Sequence, residues 1–511
     1  MPMVDAATLK AWISDGRELA ILDAREEGEF GHGHLFWAVP CPLSKQELRA
    51  PVLLPRRATR VVCVDGGDSH AEKLAACLTG IGHTDVHVLK GGTPAWEAAG
   101  YVVFTGVHVP SKAFGEWVEH HYGTESVDPP ELQAMVDSGQ DMVILDSRPM
   151  DEFVKMTIPG AVNVPGGELA YRIGDIAPDA GTTIVVNCAG RTRSIMGAES
   201  LRRAGLPNRI VALRNGTMGW ELAGFECERG ITRSYAPGTP ASAALALQRA
   251  TAFADEHGVR TISRAAAETM LADDSRTTYA LDVRSAEEYA AGHIPGFRHA
   301  PGGQLVQATD QWVAVRGARI LLADDDTVRA RMSGAWLRQM GGWDVHVVER
   351  ALDGPLTTGR AAPEVPEARL VPLVTPQALS AESGVTVVDL ARSIDFRAGH
   401  IPGAVWAVRG RIPAIAGPVV IMAADAALAH LAAAEIPGAR VLDGGLAAWR
   451  AAGLPIATDR TNPPDDACVD WYLRPYDRNS GIEAAMHAYL SWEIDLVHEV
   501  ARDGDARFGA W

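Results

Sequence analysis

The sequence predicts an α/β protein of four tandem units, each a parallel β-sheet flanked by helices, followed by a helical C-terminal tail. Three observations support this fold class. Short β-branched strands alternate with helical patterns, which is typical of parallel sheets. The same short motifs recur along the chain. The length of 511 residues exceeds what one hydrophobic core usually organises and suits three or four domains.

Three motifs mark the units in order. The first is an apolar strand that ends in aspartate, and its copies are Ile21-Leu22-Asp23-Ala24-Arg25, Ile144-Leu145-Asp146-Ser147-Arg148, Ala280-Leu281-Asp282-Val283-Arg284 and Val387-Val388-Asp389-Leu390-Ala391. The second follows further on as Leu35, Ile158-Pro159-Gly160, Ile294-Pro295-Gly296 and Ile401-Pro402-Gly403, with His34, His293 and His400 before three of them. The third closes the unit as Gly91-Gly92-Thr93-Pro94-Ala95-Trp96, Asn215-Gly216-Thr217-Met218-Gly219-Trp220 and Gly444-Gly445-Leu446-Ala447-Ala448-Trp449. The third unit has no copy of this closing motif.

These motifs divide the chain. The predicted parts are unit one (1–108), a helical linker (109–125), unit two (126–236), a second helical linker (237–258), unit three (259–360), unit four (366–458) and the tail (461–511). A Pro-rich stretch, 361–366, separates units three and four. The tail contains a helix whose predicted apolar face carries Ile482, Met486, Tyr489, Leu490, Ile494 and Val497. We expect this face to pack on the body of the protein or on a second subunit, which would make a homodimer.

The composition narrows the class of function. The 47 basic residues are outnumbered by 64 acidic ones, for a net charge of −17, which argues against nucleic acid or an anionic membrane as the main partner. The six cysteines are scattered without a Cys-x-x-Cys pair, so neither a disulfide framework nor a metal site is expected. The N-terminus lacks a secretion signal, and the expected location is the reducing cytoplasm.

Cys188 is the strongest candidate for a functional residue. It follows the β-branched run 184–186 and Asn187, and a short loop with Arg191 and Arg193 leads into a helical pattern over 195–204. A thiol at this point faces the N–H groups of the loop and the positive end of the helix. Such surroundings favour a nucleophilic thiolate.

The other units lack a cysteine at this point. Measured back from the glycine after the following helix, the position of Cys188 corresponds to Asp65 in unit one and Asp324 in unit three. In the shortened fourth unit the nearest counterpart is Asp425. A carboxylate can lie among backbone N–H groups, but it cannot carry a sulfur atom. We therefore expect units one, three and four to be inactive in group transfer.

Taken together, the motifs resemble rhodanese (sulfurtransferase) domains, over roughly residues 1–458 and in four copies. The resemblance implies four rhodanese-like domains, of which the second is active. It also implies the chemistry: Cys188 takes the outer sulfur of a donor such as thiosulfate, forms a persulfide, and passes the sulfur to a thiophilic acceptor, cyanide or a thiol. Neither a metal nor an organic cofactor is required.

The resemblance also implies the roles of the loop residues. The N–H groups of the loop would cradle the anionic persulfide, and the residues concerned are Ala189, Gly190, Arg191, Thr192, Arg193 and Ser194. Gly190 would allow a tight bend, and the two arginines would pair with the anionic donor.

Three residues outside the loop are candidates for a supporting role. Asp146 and Arg148 recur in the cysteine-free units, which favours a structural ion pair over a direct part in catalysis. Some rhodaneses carry an additional arginine where this chain has Glu152. The binding of an anion would then depend more on the loop arginines and on Arg172.

Two other functions are compatible with parts of this pattern. A cysteine phosphatase also uses a cradled thiolate, but its Cys-x5-Arg loop would need an arginine where this chain has Ser194, and Asn187 replaces the histidine usual before the cysteine. A scaffold or sulfur-relay protein is the second alternative, because three units without a thiol can still bind anions, persulfidated partners or one another.

Overall fold

The computed structural model describes residues 1–236, 238–360 and 369–510. Within them the chain forms four β-sheets of mainly parallel strands, each flanked by helices, and a helical C-terminal region, so the predicted α/β class of four tandem units is confirmed. The predicted separator, 361–366, and the first residue of the second linker, Pro237, lie outside the described residues. None of the described helices combines the length and the apolar character needed to cross a membrane.

Unit one and the first linker form the first sheet and a long helix. Their elements are β1 (Met3–Val4), α1 (Ala6–Ile13), β2 (Leu19–Asp23), α2 (Glu27–Phe30), β3 (Ala38–Pro40), α3 (Gln46–Leu53), β4 (Val61–Val64), α4 (His70–Gly80), β5 (Val86–Leu89), α5 (Gly92–Ala98) and α6 (Val109–Tyr122).

Unit two and the second linker repeat this order. Their elements are β6 (Ser126–Val127), α7 (Pro129–Asp137), β7 (Met142–Asp146), α8 (Met150–Phe153), β8 (Val162–Asn163), α9 (Leu169–Ile176), β9 (Thr183–Asn187), α10 (Thr192–Arg203), β10 (Ile210–Leu213), α11 (Gly216–Leu222) and α12 (Pro240–Glu256). The strand order is β6-β10-β9-β7-β8.

Unit three has one additional strand. Its elements are β11 (Arg260–Ser263), α13 (Arg264–Ala272), β12 (Thr278–Asp282), α14 (Ala286–Ala291), β13 (Arg298–His299), α15 (Gly302–Gln307), β14 (Val315–Arg316), β15 (Arg319–Ala323), α16 (Val328–Gly341) and β16 (Asp344–Glu349). The sheet order β11-β16-β15-β12-β13 matches that of unit two, while β14 pairs antiparallel with β2 of unit one.

Unit four and the tail complete the chain. Their elements are β17 (Leu373–Val374), α17 (Pro376–Ala381), β18 (Thr386–Asp389), α18 (Ser393–Ala398), β19 (Val405–Trp406), β20 (Val419–Met422), α19 (Ala426–Ala433), β21 (Arg440–Leu442), α20 (Gly445–Ala451) and, in the tail, α21 (Ile482–Asp503). The order β17-β21-β20-β18-β19 is again that of unit two.

The sheet of unit two explains the β-branched run before Cys188. Strand β9 lies between β7 and β10, and all of its residues are buried. A parallel strand covered by helices on both faces needs apolar side chains in both directions, so its sequence reads as a continuous run rather than an alternating one. The loop after β9 therefore lies at the carboxyl edge of the sheet, where open α/β sheets bind ligands.

Units two and three meet through matching glycine-rich loops. A Cβ at Gly167 would lie 2.9 Å from the backbone nitrogen of Gly303, and one at Gly303 would lie 2.8 Å from that of Gly167. Only glycine permits backbones to approach this closely. The recurring Pro-Gly-Gly sequence thus makes one of the contacts between these two units.

The tail packs on the body of the same chain. Met486 and Leu490 of α21 are buried against Met218 of unit two, and α21 also lies against α6. The predicted apolar face is wrong at Ile494, which is 43% exposed, because the buried face of α21 passes through Glu493 instead.

Candidate active site at the Cys188 loop

The loop that carries Cys188 is held by the closing motif of its own unit. The carbonyl oxygens of Cys188 and Ala189 accept hydrogen bonds from the N–H groups of Thr217 (2.9 Å) and Met218 (3.0 Å) at the start of α11. A Cβ at Gly216 would collide with the carbonyl oxygen of Cys188, and its φ of +54° also favours glycine. The closing motif therefore fixes the direction of the loop.

The backbone N–H groups of the loop form a cradle beside Cys188. Within the described ranges no protein acceptor hydrogen-bonds the N–H groups of Ala189, Gly190, Arg191, Thr192 and Arg193. Cys188 is 2% exposed, and its thiol donates to the hydroxyl of Ser194 (3.5 Å), which donates to the carbonyl oxygen of Arg191 (2.7 Å). With the N-terminus of α10 adjoining, these groups would stabilise an anion on the sulfur.

Gly190 has a different reason to be glycine from the predicted one. Its φ is not in the left-handed region, so the bend itself does not require it. A Cβ there would lie 3.1 Å from Oε2 of Glu493 and 3.5 Å from the Tyr489 ring. The close approach of the tail helix to the loop, which sequence patterns in unit two do not reveal, is what favours glycine.

Arg191 is engaged by the linker helix α6. Its guanidinium forms two hydrogen bonds of 2.8 Å with the Glu116 carboxylate and another with Glu119. Burial raises the pKa of Glu116 to about 7, against the opposing effect of Arg191. The charge of Arg191 is therefore compensated within the protein, and its side chain ties the loop to α6.

Arg193 is paired in a similar way. Its two terminal nitrogens contact the Glu152 carboxylate at 2.8 and 2.7 Å, and Gln304 of unit three lies 3.4 Å away. Burial alone would raise the pKa of Glu152, but the guanidinium overrides it and lowers the pKa to about 2. Both loop arginines predicted to bind the donor are thus already matched by carboxylates.

Asp146 and Arg148 form the predicted ion pair at the end of β7. The guanidinium contacts the carboxylate at 2.9 and 2.7 Å, and both side chains are buried. The same carboxylate accepts from the Asn187 amide (2.9 Å) and the Thr157 hydroxyl (2.8 Å). Asp146 therefore positions the residue that precedes Cys188.

Arg172 lies outside the cavity of Cys188. On α9 it contacts Glu168 (3.1 Å) and stacks on the rings of Tyr171 and Tyr235, at 4.1 and 5.1 Å from their centroids. The structure therefore does not bring this predicted supporting residue to the site, because its face of α9 is turned toward the segment before the second linker.

An open cavity of about 360 Å³ lies in front of Cys188. Its walls come from four parts of the chain, namely unit two with the loop of Cys188, helix α6, α15 with the turn that follows, and the tail. The tail contributes Tyr472, Arg474, Tyr476, Asp477, Ile482, Tyr489 and Glu493, and Arg460 directly before the tail also lines the cavity. More of the wall comes from the tail than the sequence motifs suggest.

Three cations of this cavity have no carboxylate partner among the described residues: Lys155, Arg460 and Arg474. Arg474 is half-buried and stacks on Trp471, 5.0 Å from the ring. Sequence reasoning missed it because the tail lies outside the repeated unit. The only available signal was the mixture of aromatic and basic residues over 471–476.

Glu493 links the tail to the loop. Its side chain is buried, and Oε1 accepts from the Lys112 ammonium (2.8 Å) and from the Thr192 hydroxyl (3.0 Å). Lys112 also donates to the Tyr489 hydroxyl. This cluster joins α6, the first residue of α10, and α21. The loop is therefore also held by two helices that lie outside the sheet of unit two.

The corresponding loops of units one and three contain a carboxylate. Asp65 accepts hydrogen bonds from the N–H groups of Gly67 (2.8 Å) and Ala71 (3.0 Å). Asp324 accepts from those of Thr327 (2.6 Å) and Ala330 (3.1 Å). In these loops the acceptor of the N–H groups is a side chain of the protein itself.

In unit four the predicted counterpart of Cys188, Asp425, is corrected to Ala423. Asp389 pairs with Met422 in the sheet, as Asp146 pairs with Asn187, so Ala423 is the residue directly after the strand. Asp425 instead caps α19. Distance along a shortened loop was a poorer guide than strand register.

Comparisons with known proteins agree with this geometry. A model of the family "Rhodanese-like domain" matches residues 5–99, 128–223 and 263–354. A crystal structure of thiosulfate sulfurtransferase from Pseudomonas aeruginosa is 41% identical, covers 99% of each chain and has a TM-score of 0.91. The candidate sulfur carrier protein YrkF of Bacillus subtilis is 28% identical over 144 residues, which are 26% of this chain and 75% of that protein.

A further match covers a smaller part of the chain. An HTH-type transcriptional regulator of Mycobacterium tuberculosis is 34% identical over 91 residues, or 18% of this chain. The match spans 39% of the regulator's length. The similarity therefore concerns a single unit.

Proposed function

Since this chain belongs to the rhodanese-like domain family, we propose that it is a sulfurtransferase that moves a sulfane sulfur through a persulfide on Cys188. The donor is an anionic sulfane such as thiosulfate, and the acceptor is thiophilic, cyanide or a thiol. One observation carries the proposal: the thiol of Cys188 lies at the carboxyl end of β9 beside loop N–H groups that have no acceptor among the described residues.

In the first half-reaction the Cys188 thiolate attacks the outer sulfur of thiosulfate. The sulfur–sulfur bond of the donor breaks, and sulfite leaves with the electron pair. The persulfide on Cys188 is anionic, and the loop N–H groups with the N-terminus of α10 offset its charge. The Ser194 hydroxyl can turn from the carbonyl of Arg191 to donate to the sulfur, because a hydroxyl rotates freely about its C–O bond.

In the second half-reaction the acceptor attacks the outer sulfur of the persulfide. The bond between the two sulfur atoms breaks, and Cys188 is released as a thiolate ready for another donor. Arg193, held by Glu152, keeps its position in both half-reactions, and its positive charge partly offsets the negative charge on the sulfur of Cys188. No step needs a metal or an organic cofactor.

The other units serve this one cysteine as architecture. Unit three supplies Gln304 next to Arg193, and the tail supplies the far wall of the cavity. The loops of units one and three hold carboxylates in their cradles, and unit four has an alanine at that position. We therefore assign sulfur transfer to unit two.

The test is the formation of thiocyanate from thiosulfate and cyanide. The wild type is expected to turn over, and Cys188→Ser to lose essentially all activity because, among the described residues that line the cavity, Cys188 carries the only thiol. Cys227→Ser is the matched control: burial raises the pKa of Cys227 to about 12, so it should contribute nothing. Activity retained by Cys188→Ser would overturn the assignment.

A sulfur-relay function is the second candidate, favoured by the similarity to the candidate sulfur carrier protein of Bacillus subtilis. A relay protein would accept sulfur on Cys188 but release it slowly to small acceptors. Persulfide loading with negligible thiocyanate formation would support the relay. Rapid turnover would support the enzyme.

A further inference from the structure

The cations that surround Cys188 fall into two groups. In the first group, Arg191 is matched by Glu116 and Glu119, Arg193 by Glu152, and Lys112 by Glu493. In the second group, Lys155, Arg460 and Arg474 line the same cavity without a carboxylate partner among the described residues. Within the described part of the chain, the uncompensated positive charge of the cavity is therefore on these three side chains and not on the loop arginines.

Of the three cations without a carboxylate partner, Arg474 is the best placed to bind a ligand in the cavity. It precedes the short 3₁₀ turn Pro475–Asp477, and its guanidinium stacks on Trp471, which restricts its orientation. Arg474 lines the same cavity as the loop of Cys188 and as Glu152, the partner of Arg193. Lys155 and Arg460 are exposed and lie at the rim.

The size of the cavity exceeds what a small inorganic donor needs. A water molecule takes about 30 Å³ of liquid volume, so a cavity of about 360 Å³ has room for considerably more than thiosulfate. Met156, Met218 and Ile482 add apolar surface to the walls. Organic ligands typically bind in pockets of this size, with few polar groups that fix their orientation.

We propose that the sulfur acceptor is an organic thiol that carries a carboxylate, and that Arg474 binds this carboxylate. Charged guanidinium–carboxylate pairs are strong and directional, and they select by geometry. The inference rests on the proposed function and names the acceptor class for the same site. Lys155 and Arg460 are positioned to receive a second carboxylate of a larger thiol.

The transfer step moves one sulfur atom from Cys188 to the acceptor. The thiol loses its proton to solvent, and its thiolate attacks the outer sulfur of the Cys188 persulfide. A new sulfur–sulfur bond forms on the acceptor while the bond to Cys188 breaks. The acceptor leaves as an organic persulfide, and Cys188 is restored as a thiolate. Arg474 holds the carboxylate and takes no part in the bond changes.

The experiment is a single-turnover discharge of full-length protein loaded with thiosulfate and freed of donor. Three thiols of similar size are compared at equal thiolate concentration: 3-mercaptopropionate (anionic), mercaptoethanol (neutral) and cysteamine (cationic). In the wild type, 3-mercaptopropionate should reach half-saturation at the lowest concentration. In Arg474→Gln that concentration should rise about tenfold, as expected for a lost charged hydrogen bond, while mercaptoethanol is unaffected.

Two further variants separate binding from folding. Arg474→Lys keeps the charge and should restore part of the preference. Arg478→Gln is the matched control, since Arg478 lies in the same tail segment but lines a neighbouring cavity. The proposal would be contradicted if Arg474→Gln raised the half-saturating concentrations of all three thiols equally. It would also be contradicted if the wild type showed no preference for the anionic thiol.

The two proposals can fail separately. If no variant, including the wild type, gains sulfur from thiosulfate or from an organic persulfide, the proposed function fails. If Cys188 loads and discharges but the charge of the thiol makes no difference, the proposed function stands and the acceptor class is wrong.

Discussion

At the scale of single residues, unit two differs from units one and three in what its loop holds. Asp65 and Asp324 each place a carboxylate in the loop, where it accepts hydrogen bonds from two N–H groups. In the loop of Cys188, the N–H groups of residues 189–193 have no acceptor within the part of the chain that the structure describes. A thiolate or persulfide can then supply the anion, which is the physical basis for assigning the chemistry to this residue.

Glu152 sets the charge available near Cys188. Replacing it by Gln leaves Arg193 uncompensated and adds one positive charge to the cavity. We expect the KM for thiosulfate to fall about fivefold, the effect of roughly 1 kcal/mol of charge interaction. Glu382→Gln is the control, because it removes the same charge from an exposed pair with Arg440 in unit four. Equal KM values in the two variants would contradict this role.

The same pair makes a prediction about pH. Arg193 holds the pKa of Glu152 near 2 despite its burial, below the usual value of 4.5. Its stabilising contribution is therefore present above pH 4.5 and is lost as the pH falls toward 2. The difference in melting temperature between the wild type and Glu152→Gln should be largest near neutral pH and narrow progressively in acid. A melting-temperature difference that grows as the pH falls would contradict this prediction.

Residue patterns alone could predict which residue is the nucleophile candidate but not how its neighbours are paired. The β-branched run, the cysteine and the loop arginines are local features, so they are readable in one segment. The partners Glu116 and Glu493 come from α6 and α21, and contacts between distant segments leave no local periodicity. For this reason the sequence predicts that the loop arginines pair with the donor, whereas in the structure carboxylates of the protein pair with them.

At the scale of elements, each loop after a central strand is stabilised by its own unit. The closing motif holds the loop of unit two through Thr217 and Met218. In unit one, Gly92 packs so close to Asp65 that a Cβ would lie 2.5 Å from its carboxylate. In units one and two the motif therefore has the same structural role, whether or not the unit carries a cysteine.

Replacing Asp65 tests whether its carboxylate stabilises the loop of unit one. In Asp65→Ala, the exposed N–H group of Gly67 and the buried one of Ala71 lose their acceptor. Because the N–H group of Ala71 is buried, its loss of a partner should cost about 1–3 kcal/mol. Asp65→Asn keeps one acceptor oxygen and should cost less. Thermal unfolding measures both, and thiocyanate formation should be unchanged below the transition. An Asp65→Ala protein as stable as the wild type would show that the carboxylate is dispensable.

The helical tail was predictable as an element and less so in its orientation. Period and length indicate a helix that begins near residue 482, and the structure has α21 there. The position of its buried face depends on Lys112 and Thr192, which hold Glu493 inside. A charged residue on a buried face contradicts the hydrophobic pattern, and only its partners in space explain it.

At the scale of the whole molecule, the active-site cavity is shared between distant parts of the chain. Its walls come from unit two, the linker helix α6, unit three and the tail. Contacts between units therefore matter for the site as well as for stability. The interface between units two and three is the one closest to Arg193, through Gln304.

Arg329 tests that interface. It is fully buried in unit three, where it contacts Glu168 of unit two (2.8 Å) as well as Glu288 and Asp325. Arg329→Ala leaves these carboxylates without their shared partner and should cost about 3–5 kcal/mol, seen as a lower melting temperature. The control is Arg350→Ala, whose arginine is 85% exposed in a surface pair with Asp353. Similar melting temperatures for both variants would count against the interface.

The central claim is that Cys188 carries the sulfur. It is tested most directly by the intact mass of the full-length protein after incubation with thiosulfate and removal of the donor. The account predicts that the wild type and Cys227→Ser each gain one sulfur atom, which a thiol acceptor then removes, and that Cys188→Ser gains none. A Cys188→Ser protein that gains the sulfur as readily as the wild type would contradict it.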